Sequence, residues 1–403
     1  MKPIPFSPPD MTIDEAKAAS DAVLSGWITT GPRVKELERV IADFCDVPNC
    51  VCLNSQTACS EMALRLLGVG PGDEVIVPAY TYSASCSVIC HVGATPIMVD
   101  SQKNSIEMDY DKVSCLINEK TKVIIPVDLG GVPCDYDKIF KIINSKKHLF
   151  KPKNTIQKAF GRIIVLADTA HALGAKYHGK MIGSVADFSS FSFHAVKNMT
   201  TAEGGALTWK DINGIDSKDI YHKLQLLSLH GQSKDAFSKN KLGQWEYDII
   251  GPWYKCNMTD VLASIGLVQM KRYESLLTRR RVIVNYYNEH LKSFNVSFLD
   301  HLNSDKLSSC HLYILRLNDF STEQRNKFIN LMAEQGIACN VHYKPLPMFT
   351  AYKELGFDIK DYPNAYDLYH NEITLPLHTC LSDEDLERIV TTFKKVYLSL
   401  KGE

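Results

Sequence analysis

The chain has 403 residues, 45% hydrophobic and 23% charged, an ordinary globular balance with room for a large domain and a smaller one. Lys plus Arg number 45 against 46 Asp plus Glu, a formal net charge of -1, which excludes a global pull toward nucleic acid or an acidic membrane and leaves any anionic ligand to local features. The twelve cysteines are scattered from Cys45 to Cys380 without a CxxC pair or zinc-like spacing, no apolar run reaches the roughly 20 residues a bilayer requires, and the polar start lacks a secretory pattern, so a cytoplasmic protein with reduced thiols and no metal is expected.

Residues 1–12 read as an extended arm, because Pro3, Pro5, Pro8 and Pro9 deny it regular hydrogen bonding. A helix is predicted from Thr12 or Asp14 to about Leu24, stopped by Gly26, and Gly31-Pro32 then reads as a turn. Asn54-Ser55-Gln56-Thr57-Ala58 precedes a helical pattern with Cys59, Met62, Ala63, Leu66 and Leu67 on one face. A loop feeding a helix N-terminus suits a phosphate, although Ser-x-Thr there also reads as a plain N-cap. Val75 to Val77, Ile97 to Val99 and Val123 to Val127 read as buried strands, each preceded by helical spacing, which implies right-handed crossovers and a mostly parallel sheet. The lysine-rich run between Ile143 and Gly161 reads as a solvated surface loop.

Two further strand candidates, Ile163 to Leu166 and Phe188 to Phe193, each run into polar residues: Asp168 and His171 after the first, Ser192, His194 and Lys197 at the second. That is the layout of a site at the strand ends of an α/β sheet. A lysine becomes a covalent catalyst by condensing with a carbonyl, and its commonest partner is pyridoxal phosphate, whose ring nitrogen favours an adjacent carboxylate. Lys197 and Asp168 supply that pair. Met258-Thr259-Asp260 reads as the start of a long helix running to about Leu291, with Lys255 exposed ahead of it. Strands near Val296 to Leu299 and His311 to Leu317, a helix from Thr322 to Gln335, a strand around Ala338 to Tyr343 and a last helix from about Ser382 to Leu400 complete the chain. The class is α/β: an arm and large domain over 1–258, a connecting helix over 259–292 and a smaller α/β lobe over 293–403.

The run Ser192 to Gly205, SFHAVKNMTTAEGG, resembles the lysine motif of the DegT/DnrJ/StrS sugar aminotransferase family, fold-type I pyridoxal-phosphate enzymes. The likeness covers nearly the whole chain and is strongest to the family's UDP-4-amino-4-deoxy-L-arabinose branch. It implies a large domain with a mostly parallel sheet and helices on both faces. Thr57 and Ala58 match the family's Gly-Thr-Ala phosphate motif, with Gln56 in place of the glycine. By the same resemblance Tyr82 stacks on the cofactor ring, Asp168 faces its nitrogen, His171 bonds its phenolic oxygen and Ser192 its phosphate, and Lys197 carries the cofactor and shuttles the proton. Lys255 and Asn257, in a segment where Trp253 and Cys256 depart from the family pattern, would reach the cofactor phosphate of a partner in a homodimer with shared sites. Trp27, Thr29, His194, His342 and Lys344 would face substrate.

The implied reaction moves an amino group from L-glutamate, released as 2-oxoglutarate, to a 4-keto nucleotide sugar for amino-sugar and surface polysaccharide synthesis. Alternatives are a 3-keto sugar or cyclitol aminotransferase of the same fold, a dehydratase, which in this family replaces the lysine with histidine, or a non-catalytic nucleotide-sugar-binding regulator. Joint retention of Asp168, His171, Ser192 and Lys197 argues against the regulator. Specificity is expected in loops near Trp27 to Pro32, Gln232 to Trp253 and Val341 to Thr350.

Overall fold

The computed structural model describes residues 2–233 and 246–402, so residues 234–245 of the second expected specificity loop lie outside the described residues. In chain order the first part runs α1 (Ile13–Leu24), α2 (Pro32–Cys45), β1 (Asn49–Leu53), α3 (Gln56–Leu66), β2 (Glu74–Pro78), α4 (Ser83–His91), β3 (Thr95–Val99), α5 (Tyr110–Leu116) and β4 (Thr121–Ile124). There follow α6 (Tyr136–Ser145), α7 (Thr155–Phe160), β5 (Ile164–Asp168), the short β6 (Lys176–Tyr177) and β7 (Lys180–Met181), β8 (Phe188–Ser192), β9 (Gly205–Trp209) and α8 (Ser217–Ser228). A 32-residue helix, α9 (Asp260–Leu291), leads to β10 (Val296–Phe298), β11 (Lys306–Leu307), β12 (Tyr313–Leu317), α10 (Thr322–Glu334), α11 (Thr350–Glu354), α12 (Pro363–His370), β13 (Glu372–Leu375) and α13 (Asp383–Lys401).

Seven strands form the central sheet in the order β1-β9-β8-β5-β4-β2-β3. All neighbours are parallel except where β9 enters between β1 and β8, so the mostly parallel α/β expectation holds. Alternation along each strand divides the apolar residues between two cores. Val75, Val77, Ile164 and Leu166 join one cluster with α3 and α4 residues, while Ile76, Val165 and Ala167 join another with α2, α6 and α9 residues. Helices therefore cover both faces. A third cluster packs β12 and β13 against α10, α13 and the last turns of α9, with Ile4 of the arm added to it. Among the described residues no helix is long and apolar enough to cross a membrane.

Three expectations need correction. The strand around Ala338 to Tyr343 does not form; Asn340 makes a single bridge to Thr374, and the ladder place beside β12 belongs to β13, whose Ile373 and Leu375 are fully buried. The strand over Val123 to Val127 stops at Ile124, because Pro126 has no N–H to donate. The lysine-rich run is not simply a loop: α7 occupies its second half, with Ile156 and Gln157 buried and the Asn154 and Gln157 amides both donating 2.8 Å bonds to the Leu67 carbonyl.

Local chemistry explains how the chain enters and leaves these elements. Pro32 opens α2 rather than ending a turn, and the buried Asp260 carboxylate accepts the N–H groups of Arg33 and Val34 at 3.1 and 3.0 Å. One residue of α9 thus caps a helix more than two hundred positions away in sequence. Gly205 lies where β9 crosses the loop ahead of α3: a Cβ there would stand 2.4 Å from the Ser55 carbonyl carbon and 2.5 Å from the Gln56 nitrogen. Gly205→Ala is therefore expected to lower stability by about 1–3 kcal/mol, the ordinary cost of overpacking against backbone. A urea titration showing an unchanged midpoint would mean that this loop yields freely.

Candidate active site

β5 and β8 are parallel neighbours, so their carboxyl ends deliver Asp168 and Ser192 to one edge of the sheet, and the turn after β8 brings Lys197 back over it. Asp168 is 5% exposed. Its Oδ2 accepts a 2.6 Å bond from the Ser85 hydroxyl and its Oδ1 a 3.1 Å bond from the Ala170 N–H. Burial pushes this carboxyl above its ordinary range, while Ser85, Ala170, the charge of Lys197 and Gln56 pull it back. Lys197 is brought down to about 8, because desolvation of the ammonium outweighs its attraction to Asp168.

His171 is buried beside the pair. The Gly130 N–H donates to its Nδ1 at 3.2 Å, so in the neutral ring the proton sits on Nε2, which lies 3.4 Å from the Tyr343 hydroxyl. Burial first, then the charge of Lys197, pushes its protonation far down and keeps it neutral. The His311 ring lies 4.3 Å from it and bonds Asn198, the residue after the lysine, at 2.8 Å. His342 is driven down to about 3 by the same two causes. Tyr82 is 61% exposed although Tyr80 and Thr81 before it are buried, and its ring tilts toward Tyr343 at 5.9 Å. Phe6 of the arm stacks on His342 at 5.4 Å, and Ser7 donates to the Val196 carbonyl at 3.2 Å, so the arm runs along the edge of the pocket.

Thr57 and Ala58 occupy the first turn of α3. Ser55 caps this helix by accepting the Ala58 N–H at 3.1 Å, and the remaining first-turn N–H groups and the dipole favour an anion. Gln56 ties the turn to the sheet through 2.9 and 3.0 Å bonds to Ser60 and Ser190. The donor set fits pyridoxal phosphate: an amine of lowered basicity, a buried carboxylate, a neutral imidazole and a helix N-terminus at one sheet edge.

The other expected residues divide. His194 is exposed, 3.6 Å from Glu203, and the Lys344 ammonium lies over the Phe349 ring at 4.8 Å. The loop that holds Trp27 and Thr29 meets the segment holding Lys255 and Asn257. The Trp27 indole donates to the Thr30 carbonyl at 3.1 Å, the Asp260 N–H to the Thr29 carbonyl at 3.1 Å, and the Asn257 amide to the Thr30 hydroxyl at 2.6 Å. Lys255 donates to Asn257, and the segment runs against its own chain's Leu53 and Asn54, just ahead of α3. Sequence reasoning missed Ser85, His311 and Gly130, which carry no motif, and Tyr343, although its neighbours His342 and Lys344 were singled out.

A model of the DegT/DnrJ/EryC1/StrS aminotransferase family matches residues 9–394. The chain is 33% identical to the spore coat polysaccharide biosynthesis protein SpsC of Bacillus subtilis over 397 residues, covering 98% of this chain and 97% of that one. Among solved structures, Spr1654 of Streptococcus pneumoniae, provisionally named a sugar aminotransferase and seen in its PMP form, shares 57% identity and a TM-score of 0.96, with 98% of this chain and 100% of that one covered. Helicobacter pylori PseC, an aminotransferase of pseudoaminic acid biosynthesis, shares 28% identity and a TM-score of 0.86 over 99% of this chain and 100% of its own.

Asp168 holds the ammonium form of Lys197, so the pair makes a testable statement about pH. Amine-directed labelling of the cofactor-free protein should reach Lys197 with a midpoint near pH 8, well below the exposed lysines. Asp168→Asn should move that midpoint lower, because the neutral amide no longer favours the charged amine. Peptide mass spectrometry showing an unchanged or higher midpoint would separate the two groups.

Proposed function

The chain belongs to the DegT/DnrJ/EryC1/StrS aminotransferase family, and from that premise we propose that it transfers an amino group from L-glutamate to a 4-keto nucleotide sugar, with pyridoxal phosphate as cofactor. The observation that carries this reading is the Lys197 amine, lowered in basicity beside the buried Asp168 carboxylate. When bound, pyridoxal phosphate supplies a carbonyl that takes up amines and a ring that withdraws electrons. In this reading the first turn of α3 at Thr57 and Ala58, with Ser192, holds the phosphate. Tyr82 offers its open ring face to the cofactor plane. The Asp168 carboxylate would favour a proton on the ring nitrogen, and the Nε2–H of His171 would be free to donate to the ring's oxygen.

Lys197 Nζ would take a proton from the donor's carbon in one half of the exchange and give one to the acceptor sugar's carbon in the other, a task that suits an amine whose pKa lies near neutrality. Ionised and neutral forms are then both available at working pH. Both halves of the exchange, glutamate to 2-oxoglutarate and keto-sugar to amino-sugar, would draw on the same amine, and the order would be ping-pong because 2-oxoglutarate leaves before the keto-sugar takes up the amino group. Trp27, Thr29, His194, His342 and Lys344 are the residues proposed to meet the sugar nucleotide or the donor's carboxylates. The Spr1654 structures in PLP and PMP forms support the cofactor assignment, and the polysaccharide role of SpsC supports the product class.

Borohydride treatment of the protein loaded with pyridoxal phosphate should fix the label on Lys197, and peptide maps with the label on Lys176 or Lys180 would overturn the assignment. Nucleotide-linked 4-amino sugars incubated in reverse with 2-oxoglutarate should yield glutamate. Glutamate from 3-amino sugars alone would shift the reading to the other carbon.

We further propose a homodimer whose sites are shared through Lys255 and Asn257. Inactive Lys197→Ala and inactive Lys255→Ala subunits, mixed, should then regain up to about half the wild-type rate per heterodimer, since one site collects both lesions and the other none. No recovery with heterodimers verified by mass would confine Lys255 to its own subunit, where Cys256 and Asn257 beside it already run against Asn54 and Leu53.

A further inference from the structure

His342 is gripped from the small sheet by two residues that the site does not otherwise use. Its backbone N–H donates to Glu372 Oε2 at 2.9 Å, and its ring Nδ1 lies 2.9 Å from the Thr374 hydroxyl. That hydroxyl lies 2.7 Å from Glu372 Oε1. Glu372 is 1% exposed and Thr374 fully buried. On the other side the His342 carbonyl accepts the Tyr80 hydroxyl at 2.8 Å and Phe6 stacks on the ring, so the ring has little freedom to turn. With Nδ1 engaged, Nε2 is the polar ring atom left for the pocket, where the charge of Lys197 acts on it.

A threonine hydroxyl has one hydrogen to give. If Glu372 is ionised, Thr374 donates to it, His342 Nδ1–H donates to Thr374, and Nε2 is bare. If Glu372 carries a proton, it donates to Thr374, Thr374 donates to Nδ1, and the ring hydrogen sits on Nε2. The protonated chain holds three of these hydrogens and the ionised chain two. On passing to the ionised chain the carboxyl hydrogen shifts to Thr374, the Thr374 hydrogen shifts to Nδ1 and the Nε2 hydrogen leaves; the reverse path takes a proton up at Nε2.

We propose that Glu372 and Thr374 are positioning residues for the active site: through the Thr374 hydroxyl, the Glu372 carboxyl sets whether His342 offers the lysine pocket an Nε2–H donor or a bare acceptor. The inference rests on the reading of the Lys197 pocket as the active site. Glu372 also lines a cavity of about 320 Å³, with Tyr80, Arg316 and Lys306 among its walls but without Lys197 or His342. Arg325 donates to the Glu372 carbonyl at 2.8 Å, and Arg316 faces Glu372 in the β12–β13 ladder. Tyr80, Tyr343 and Cys339 feel the carboxylate's charge, and the Lys306–Glu107 pair and Asp300 lie across the cavity. Burial outweighs Thr374, the His342 N–H and Arg325, and brings Glu372 up to about 8. Below that pH Nε2 is the donor; above it Nε2 is the acceptor.

Nitrogen-15 NMR of histidine-labelled protein, with His342 identified by the signals lost in His342→Gln, reads the tautomer directly and needs no substrate, so it stands whatever sugar the enzyme uses. The wild-type ring should cross from Nε2–H to Nδ1–H near pH 8 in a scan from about pH 6 to about pH 10. The crossing should vanish in Glu372→Gln and in Thr374→Val and survive in Thr374→Ser, which keeps the hydroxyl. Should Glu372→Gln not fold, the two Thr374 variants decide alone. A wild-type ring holding one tautomer throughout, or a crossing that persists in Glu372→Gln or Thr374→Val, overturns the proposal.

Discussion

Keeping the Asp168 carboxylate out of water is the constraint on which the pocket is built. A buried carboxylate is costly unless it is hydrogen-bonded and opposed by charge. Here Ser85 comes from α4, the Ala170 N–H from the turn after β5, Gln56 from α3 and Lys197 from the turn after β8. Satisfying one side chain therefore pins four separate pieces of chain to the same sheet edge. The reciprocal effect falls on Lys197, whose ammonium loses more to desolvation than it regains from the carboxylate. Burial makes the amine reactive against the pull of the carboxylate, whose charge favours the ammonium.

The parts of this arrangement that repeat along the chain were legible in sequence. Short apolar runs announced β2, β5 and β8, a strand-end polar pair announced Asp168 and Lys197, and the helical spacing after Ala58 announced α3. What escaped notice depends on partners distant in sequence. Nothing around Ser85 says that its hydroxyl will meet a carboxylate 83 positions later, and Asp260 reads as a first-turn residue of its own helix although it also caps α2. β13 was missed because Glu372 and Thr374 break its apolar run. The two polar residues that hid the strand are the two that hold His342.

The same contrast runs between the two ends of the chain. The large sheet buries its strands on both faces, so Asp168 sits at the end of a strand that packing holds in place. The small sheet instead reaches the pocket through directional contacts: Tyr80 to the His342 carbonyl, the Leu346 N–H to the Ala79 carbonyl at 2.9 Å, the Asn198 amide to the Ser309 carbonyl at 2.8 Å and His311 to Asn198. A hydrogen bond of this kind tolerates little misalignment, whereas an apolar contact can slide. These bonds add direction to an apolar seam in which Leu312, Ile314 and Leu346 join the large sheet's own cluster.

The N-terminal arm extends that logic. Proline at positions 3, 5, 8 and 9 leaves it few N–H groups to donate, so it is held mainly by what it accepts. Arg388 donates to the Lys2 carbonyl, His378 lies 3.1 Å from the Pro5 carbonyl, and Arg272 and Gln269 both donate to the Asp10 carbonyl. Ile4 adds a parallel bridge to Ile337 and packs into the third core. Anchored at both ends, the segment between has little slack, and it is that segment which lays Phe6 on His342 and Ser7 on Val196. A ring clamped between Phe6 on one face and the Glu372–Thr374 pair at its edge changes its hydrogen-bonding character only by moving a proton, because it has no room to flip.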